Sequence, residues 1–418
     1  MPFFGILGGG KFLVKFNRNE VVSILALKQE KNPRERQLSK GSFLTDSDFL
    51  QVNNTPKRGD SQQNDGEMQF RATEHEIKTR FVPKRLTSQL LSESYSRLGG
   101  DYLRNAENVA RCGTLLEFAH EISQDGSIAA NGKLHRANFC RDRLCPMCSW
   151  RRSYKIFGQV SKIMDVIGKD YKFLFLTLTV PNVPANLLSS AISDLFKAWD
   201  RFNRYKVLKS TVLGYFRALE VTRNADTGEY HPHFHVVLAV SKKYGKTHYI
   251  KRDEWLRLWQ RACKNYSITQ VDIRTVKPKD FGVGTNFDIT PAIAEVAKYA
   301  VKSAQYIIDG DPALTDKIVS ELAPALGARR LAAFGGCFKD VHARLNLDDA
   351  EDGDLIHLED KINPVIAYLI RRYFWGCGVY EFVSQHVDLV PSDSDSGMPS
   401  NHPPDGCGSF EQLGDLPF

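Results

Sequence analysis

The feature that most constrains this chain is a set of three histidines at alternating positions, His231, His233 and His235, followed directly by the apolar run Val236–Val240. Successive side chains of a β-strand point to opposite faces. The three imidazoles are therefore predicted to share one face of a strand, while Phe234, Val236, Leu238 and Val240 face a core on the other side. Imidazoles are common ligands of divalent cations, so the pattern predicts a metal site. The alternative is a row of surface or hydrogen-bonded histidines.

Length and charge limit the classes of protein that fit. The chain has 418 residues and a net charge of +7, which suits about two globular domains and a polyanionic partner. No run of about 20 apolar residues occurs, so we expect a cytoplasmic protein with no membrane partner. In a reducing compartment the eight cysteines are expected to stay thiols, and a cluster of them favours a metal site over disulfides.

Three of these cysteines follow the spacing C-x4-C-x2-C, and a fourth lies upstream. Two thiolates of a C-x2-C knuckle can bind one tetrahedral ion, and structural zinc sites have four such ligands. The predicted ligands of a structural Zn²⁺ ion are Cys112, Cys140, Cys145 and Cys148. Two alternatives remain at this point: four unrelated buried thiols, or a site in which His120 or His135 replaces one cysteine.

A basic segment follows the knuckle at once. Arg151, Arg152 and Lys155 fall at the start of a predicted helix, beside Trp150 and Tyr154. Cations on a helix that a metal site holds in place suit contact with the phosphate backbone of DNA. The alternative is an ordinary solvated face.

The strand before the histidines supplies a further candidate ligand. The residues Tyr215 to Thr222 read as a strand, and 224–228 as the turn of a hairpin. If the pairing centres between residues 226 and 227, Glu220 lies opposite His233 on the same face and can add an oxygen ligand. A slip by one residue would turn its carboxylate to the other face, and the alternative is a surface carboxylate.

A helix predicted over 291–308 carries the remaining candidates. Thr290 is a suitable N-cap, and apolar residues cover one face. An acid, a base and two tyrosines lie on the opposite face. The last three follow the acid by four, seven and eleven residues, and residues at these spacings lie on one face of a helix. These residues are Glu295, Tyr299, Lys302 and Tyr306. The alternative is an ordinary solvent-exposed face, which the nearby histidine strand makes the weaker interpretation.

Composition divides the chain into five predicted segments. The predicted segments are a variable, partly disordered N-terminal region (1–95), a Cys-rich, zinc-binding and basic segment (96–160), a region that holds the histidine strand and the predicted helix over 291–308 (161–310), a helical C-terminal region (311–386) and an acidic disordered tail (387–418).

Three stretches together resemble the motifs of a known family. They are F-L-T-L-T (175–179), H-P-H-F-H-V (231–236) and E-V-A-K-Y-A-V-K (295–302). They resemble the rolling-circle replication initiators of small bacterial plasmids, in the single-tyrosine branch of the HUH endonucleases, and the Cys-rich segment is similar to the one that precedes their first motif. The resemblance covers about 112–306 and extends faintly over 329–339. It implies an α+β fold: an HUH-like antiparallel sheet with packed helices, preceded by the Cys-rich segment.

The resemblance also implies a reaction. Tyr299 would attack a phosphodiester and form a 5′-phosphotyrosine, with Mg²⁺ or Mn²⁺ at the histidine site and Lys298 or Lys302 neutralising charge. Glu295 would activate a water that ends the cycle, which makes a second tyrosine unnecessary. Tyr306 could be a second nucleophile or could cover the site with its ring.

The implied partners are plasmid origin DNA, single-stranded at the nick, and the host helicase, polymerase and single-strand binding protein; a homodimer stays open. Two other functions compete with this interpretation. A single-tyrosine HUH transposase or relaxase shares the chemistry, but the Cys-rich segment disfavours it. A non-catalytic, zinc-stabilised DNA-binding regulator belongs to a different class, and the aligned His, Glu and Tyr residues argue against it.

Overall fold

The structure is a computed structural model, and the described residues belong to one unit of the chain, Thr55–Phe418. Within them no helix is long and apolar enough to cross a membrane. The predicted acidic tail beyond residue 389 and most of the predicted variable region lie outside the described residues. The described ranges are 70–123, 125–246, 249–276, 301–327, 329–357 and 367–389.

Helices and strands alternate along these ranges. The α-helices are α1 (Arg71–Glu76), α2 (Val82–Leu98), α3 (Leu103–Arg111), α4 (Pro146–Ile167), α5 (Ala185–Asn203), α6 (Lys206–Thr211), α7 (Arg252–Cys263), α8 (Pro312–Leu326) and α9 (Cys337–Arg344). The strands are β1 (Leu115–Ile122), β2 (Lys133–Ala137), β3 (Tyr171–Thr179), β4 (Val212–Arg223), β5 (Tyr230–Ser241), β6 (Val271–Thr275), β7 (Ala332–Gly336), β8 (Ala367–Gly376) and β9 (Val379–Leu389).

The candidate site lies on a five-stranded sheet with the order β6-β3-β5-β4-β7. Every neighbouring pair in it is antiparallel. Apolar residues of β5 face both sides, as Phe234 and Val236 pack with α5 and α7 while Val237 and Ala239 pack with α4 and α9. The sheet is thus covered by helices on both faces, and the α+β class with antiparallel pairing is confirmed.

The hairpin of β4 and β5 has the predicted register. Glu220 pairs with His233. The turn is closed by Asn224, whose side-chain oxygen accepts from the amides of Asp226 and Thr227 at 2.8 and 3.2 Å, and Gly228 takes a positive φ of 73° that a residue with a Cβ rarely adopts. The turn chemistry therefore fixes which residues of the two strands face each other.

A second, four-stranded antiparallel sheet has the order β2-β1-β8-β9. Its last two strands and β7 correct the prediction that 311–386 is helical, because α8 and α9 are the only α-helices among the described residues of that range. The sequence misled at the apolar stretch 366–380, since a short apolar run does not distinguish a buried strand from a buried helix. Strand β9 also runs three residues past the predicted start of the tail.

The predicted boundary at residue 95 falls inside α2. Phe81, Leu91 and Tyr95 lie at or below 1% exposure in the main core, so the chain from Phe70 onward is part of the folded unit. Helix α2 also contains many polar residues, as does the polar stretch of sequence before it. The start of the folded unit was therefore not recognised from composition.

The predicted helix over 291–308 does not extend to its predicted end. Residues 277–300 lie outside the described residues. Of the remainder, only Ser303–Gln305 is helical, as a single 3₁₀ turn, and Lys302 before it has an extended backbone with φ −70° and ψ 136°. An extended residue ends an α-helix, so Lys302 and Tyr306 do not share a helix face.

Candidate functional site

Three side chains of the β4–β5 hairpin converge on one point. The Nε2 atoms of His233 and His235 are 3.2 Å apart. One carboxylate oxygen of Glu220 lies 2.8 Å from His235 Nε2 and 3.6 Å from His233 Nε2. Neighbouring ligands at about 2.1 Å from an octahedral ion are about 3.0 Å apart. The spacing of these three atoms therefore fits one divalent cation.

The other ring nitrogens support this arrangement. His233 Nδ1 lies 3.0 Å from the carbonyl oxygen of His231 and must donate to it, so the Nε2 atom of a neutral ring carries a lone pair. His235 Nδ1 lies 3.3 Å from the Thr177 hydroxyl. When that nitrogen donates, both Nε2 atoms and the carboxylate present lone pairs to the same point, which a cation stabilises. A second hydrogen bond that orients each ring is a regular feature of metal-binding histidines.

The cluster is buried, with Glu220, His233 and His235 each 7% exposed. Burial alone raises the pKa of the Glu220 carboxyl, but the close contacts of the carboxylate with the His233 and His235 rings outweigh burial and hold that pKa well below its usual range. The carboxylate is therefore anionic at neutral pH. The histidine face of β5 is not open to solvent, because α4 packs on the same face.

His231 is not brought into the cluster, which corrects its prediction as a ligand. Its ring stacks on His233, with centroids 5.0 Å apart, and it is not part of the group of ligand atoms that Glu220, His233 and His235 form. Residues at i and i+4 of a strand are about 13 Å apart along its axis. One ion can therefore contact two of the three imidazoles and a cross-strand carboxylate, but not all three.

The four predicted cysteines do come together. The Sγ atoms of Cys112 and Cys148 are 3.5 Å apart, those of Cys112 and Cys145 are 3.5 Å apart, and those of Cys140 and Cys148 are 3.7 Å apart. Thiolates at 2.3 Å from a tetrahedral zinc ion are about 3.8 Å apart. The four sulfurs therefore fit one zinc ion. The alternatives with a histidine are wrong for the described residues, because neither His120 nor His135 belongs to the cluster.

Backbone geometry around the cysteines supports the same interpretation. Arg141 has a positive φ of 63°, which turns its amide toward Cys148 Sγ at 3.2 Å. The Asp142 carboxylate accepts from the amides of Leu144 and Cys145 at 2.8 and 3.1 Å and so shapes the knuckle. Asp142 was missed by the sequence reasoning, although an Asp before a Pro-initiated helix is a recognisable turn signal.

The three predicted DNA contacts are structural residues instead. Arg151, Arg152 and Lys155 are 5–8% exposed. Arg151 donates to the carbonyls of Leu355 and Ile356, both at 2.8 Å, and Lys155 donates to a carboxylate oxygen of Asp348 at 2.6 Å. Their donors face a loop about 200 residues away in sequence, so they join the Cys-rich segment to the C-terminal region and do not form a surface for DNA phosphates.

Replacing Arg152 by alanine should therefore lower the free energy of unfolding and leave the salt dependence of DNA binding unchanged. Its guanidinium donates to the carbonyls of Glu351 and Asp142 at 3.1 and 3.2 Å and to that of Arg141. Losing these bonds and leaving buried carbonyls unpaired should cost about 2–4 kcal/mol in a urea titration. An unchanged free energy of unfolding, with a slope of log K against log salt reduced by about 0.9, would instead show a phosphate contact.

The predicted catalytic residues are described only in part. Tyr299, Glu295 and Lys298 lie outside the described residues, and Lys302 is exposed. Tyr306 is 1% exposed and its hydroxyl donates to the carbonyl of Leu144 in the Cys-rich segment. Its hydroxyl is thus used inside the core, which removes the interpretation of Tyr306 as a second nucleophile.

Thr177 of β3 contacts the candidate metal site and was missed by sequence reasoning. It pairs with His235 across the two strands, and its hydroxyl contacts the ring as described above. The sequence contained a signal for it. Residues 177 and 179 are polar and alternate with apolar residues in β3, so they share one face of the strand, and this is the histidine face.

Comparison with known proteins agrees with the motifs. A family model described as "Replication protein" (Rep_1) matches residues 131–374. The protein named "Protein rep" of Bacillus amyloliquefaciens is 37% identical over 319 residues, which cover 72% of this chain and 92% of the relative. "Protein rep" of a Bacillus species is 38% identical over 294 residues, covering 67% and 94%. "Protein rep" of Streptococcus pneumoniae serotype 2 is 37% identical over 284 residues, covering 66% and 83%.

No solved structure shows a significant match. The family model spans more than half of the chain, and the relatives are covered almost end to end. The chain therefore belongs to the Rep family of plasmid replication initiators.

Proposed function

We propose that this initiator nicks one strand of its plasmid origin through a covalent 5′-phosphotyrosine and rejoins or releases that strand at termination. The observation that carries the proposal is the convergence of Glu220, His233 and His235 on one point within 3.6 Å, in a replication protein. Strands β3–β6 of the five-stranded sheet would then form the core of an HUH-like nicking domain over 161–310, with the Cys-rich segment (96–160) as a zinc-stabilised neighbour. Strand β7 joins the same sheet from beyond residue 310.

The proposed nucleophile is Tyr299. Its phenolic oxygen would attack the scissile phosphorus, forming a phosphotyrosine bond as the bond to the 3′-oxygen breaks. The phenolic proton is lost, and the departing 3′-oxygen gains a proton to become the 3′-hydroxyl that primes synthesis. The bond energy of the phosphodiester is retained in the phosphotyrosine, so the step can be reversed to rejoin the strand without another energy source.

The side chains of Glu220, His233 and His235 would hold a Mg²⁺ or Mn²⁺ ion, which supplies positive charge to the scissile phosphate. Phosphoryl transfer depends mainly on positioning and charge neutralisation. Lys298 and Lys302 are proposed to neutralise charge on the same phosphate. Thr177 and the His231 carbonyl orient the two rings, so the ligand atoms are placed before DNA arrives.

Replacing Tyr299 by phenylalanine tests the nucleophile. The ring remains and only the hydroxyl is lost, so the variant should bind origin DNA like the wild type and form no denaturant-resistant adduct with a labelled strand. Tyr306→Phe is the matched control, since it removes an equivalent hydroxyl that is already bonded in the core. The opposite result, in which Tyr299→Phe forms the adduct and Tyr306→Phe does not, would show that the nucleophile is misassigned.

Replacing Glu295 by alanine should separate the two ends of the cycle. Glu295 is proposed to activate the water that hydrolyses the final phosphotyrosine, so its loss leaves the nucleophile intact. Nicking and the adduct should persist, while release at termination fails and the covalent product accumulates in a full replication reaction. Release at the wild-type rate would remove Glu295 from this role.

A further inference from the structure

A second surface on the nicking domain has the chemistry of a nucleic-acid site. A cleft of about 510 Å³ lies between the C-terminal ends of α5 and α7. Four cations and two tyrosines line it, and its lining includes no carboxylate. The lining residues are Arg201, Arg204, Tyr205, Arg261, Lys264 and Tyr266.

The tyrosines of this cleft differ from those of the core. Tyr266 is 74% exposed, which is unusual for a large ring, since aromatic surface is costly to leave in water. The Arg261 guanidinium lies over the Tyr205 ring, 5.2 Å from its centroid. An aromatic ring, a stacked guanidinium and further cations around one cavity are the elements that bind bases and phosphates of single strands.

Helix capping explains only part of this composition. Cations near helix C-termini interact favourably with the helix dipole, and Arg201 donates to the carbonyl of Ala262 at 2.6 Å, in the last turn of α7. Lys264 is the C-cap of the same helix, with a left-handed backbone. Arg204 is likewise the C-cap of α5. Capping does not account for the exposed ring of Tyr266, or for the meeting of cations from two helix ends with two tyrosines around one cavity.

Helix α7, which lines the cleft, packs on the opposite face of the sheet from the histidines, but it contacts the end of β3 beside the candidate metal site. Trp259 on this helix donates from Nε1 to the carbonyl of Thr179 at 2.8 Å, and Thr179 pairs with His233 in the sheet. Arg261 is two residues further along the helix. The end of β3 beside the candidate metal ligands is therefore in direct contact with the helix that lines the cleft.

We infer that this cleft binds single-stranded DNA next to the nick site, with its cations on phosphates and Tyr266 stacked on a base. The inference rests on the proposed function for its biological meaning, because a nicked origin exposes single-stranded DNA beside the site. Binding itself does not require cleavage. A test on a strand without a nick site therefore separates a failure of the cleft from a failure of the nicking proposal.

The test measures fluorescence anisotropy of a labelled oligothymidine strand with the full chain across a range of salt concentrations. Arg204→Ala with Lys264→Ala should weaken binding and reduce the slope of log K against log salt by about 1.4, the value for two lost phosphate contacts on a single strand. Tyr266→Ala should weaken binding about tenfold with an unchanged slope, because stacking carries no charge.

Matched controls remove the same chemistry elsewhere. Lys317→Ala with Lys339→Ala removes two exposed cations outside the cleft, and Tyr249→Ala removes a tyrosine that is 66% exposed. Both should bind the strand like the wild type. Cleft variants that bind the strand like the wild type overturn the inference, as do cleft variants that lose affinity only for a duplex.

A measurement on the wild-type chain covers the case in which a variant fails to fold. Photocrosslinking to a strand that carries 5-bromodeoxyuridine should yield a crosslinked peptide that contains Tyr266 or Tyr205. Crosslinks confined to other peptides would overturn the inference.

Discussion

Replacing His233 and His235 together by glutamine is expected to reduce metal-dependent nicking at least about 100-fold, while the protein stays folded. Loss of a bound cation removes several kcal/mol of charge stabilisation from phosphoryl transfer, and each 1.4 kcal/mol is a factor of ten in rate. Glutamine is preferred to alanine because its amide can still donate to the Glu220 carboxylate, which is 7% exposed and costly to leave without a partner.

The matched control is His231→Gln on the same strand face. Its imidazole lies outside the cluster of ligand atoms, so nicking should fall by only a few-fold. Titration with Mn²⁺ by calorimetry gives a second readout, in which the double variant should lose the binding isotherm and His231→Gln should retain it. Equal loss in both variants would mean that the three histidines act as one ligand set.

Replacing Cys145 by serine is expected to release zinc and to lower the free energy of unfolding by at least about 3 kcal/mol. For a chain of this size that unfolds as one unit, about 3 kcal/mol corresponds to a decrease in melting temperature of roughly 3–4 °C. Cys145 is fully buried, and its segment also receives the hydroxyl of Tyr306 at Leu144. The effect should therefore extend beyond the Cys-rich segment to the chain near the proposed nucleophile.

Cys377→Ser controls for the loss of a thiol, because Cys377 is exposed and not part of the cluster. It should retain one zinc per chain and melt like the wild type. Zinc is measured by elemental analysis of the purified proteins. A wild-type protein that folds and contains no zinc would contradict the assignment of the four cysteines.

Local sequence patterns predicted the structure correctly where it depends on residues that are close in sequence. The alternation of the histidines and the turn residues at 224–228 predicted that Glu220 would face His233, and the register confirms it. The C-x4-C-x2-C spacing predicted three members of the cysteine cluster for the same reason. Cys112 joins them because the chain before β1 lies beside the chain after β2. Asn138 Nδ2 donates to the Arg111 carbonyl at 2.7 Å and holds these two segments together.

Predictions failed where the partner is distant in sequence. Arg151 and Lys155 have the composition of a DNA-binding helix, but residues 348–356 bury them from about 200 positions away. No local signal reveals such a partner. Strand β8 was missed for a related reason, since its pairing with β1 is long-range and its apolar pattern also fits a helix.

The most direct test of the proposed function uses single-stranded oligonucleotides that tile the protein's own replicon, incubated with the full chain with and without Mg²⁺ or Mn²⁺. The account predicts cleavage of one oligonucleotide, only when metal is present, with a free 3′-hydroxyl on one product and the 5′ end of the other attached to Tyr299. Mass spectrometry of the tryptic peptide identifies the attached residue. Cleavage without metal, or products with no attached protein, would contradict it.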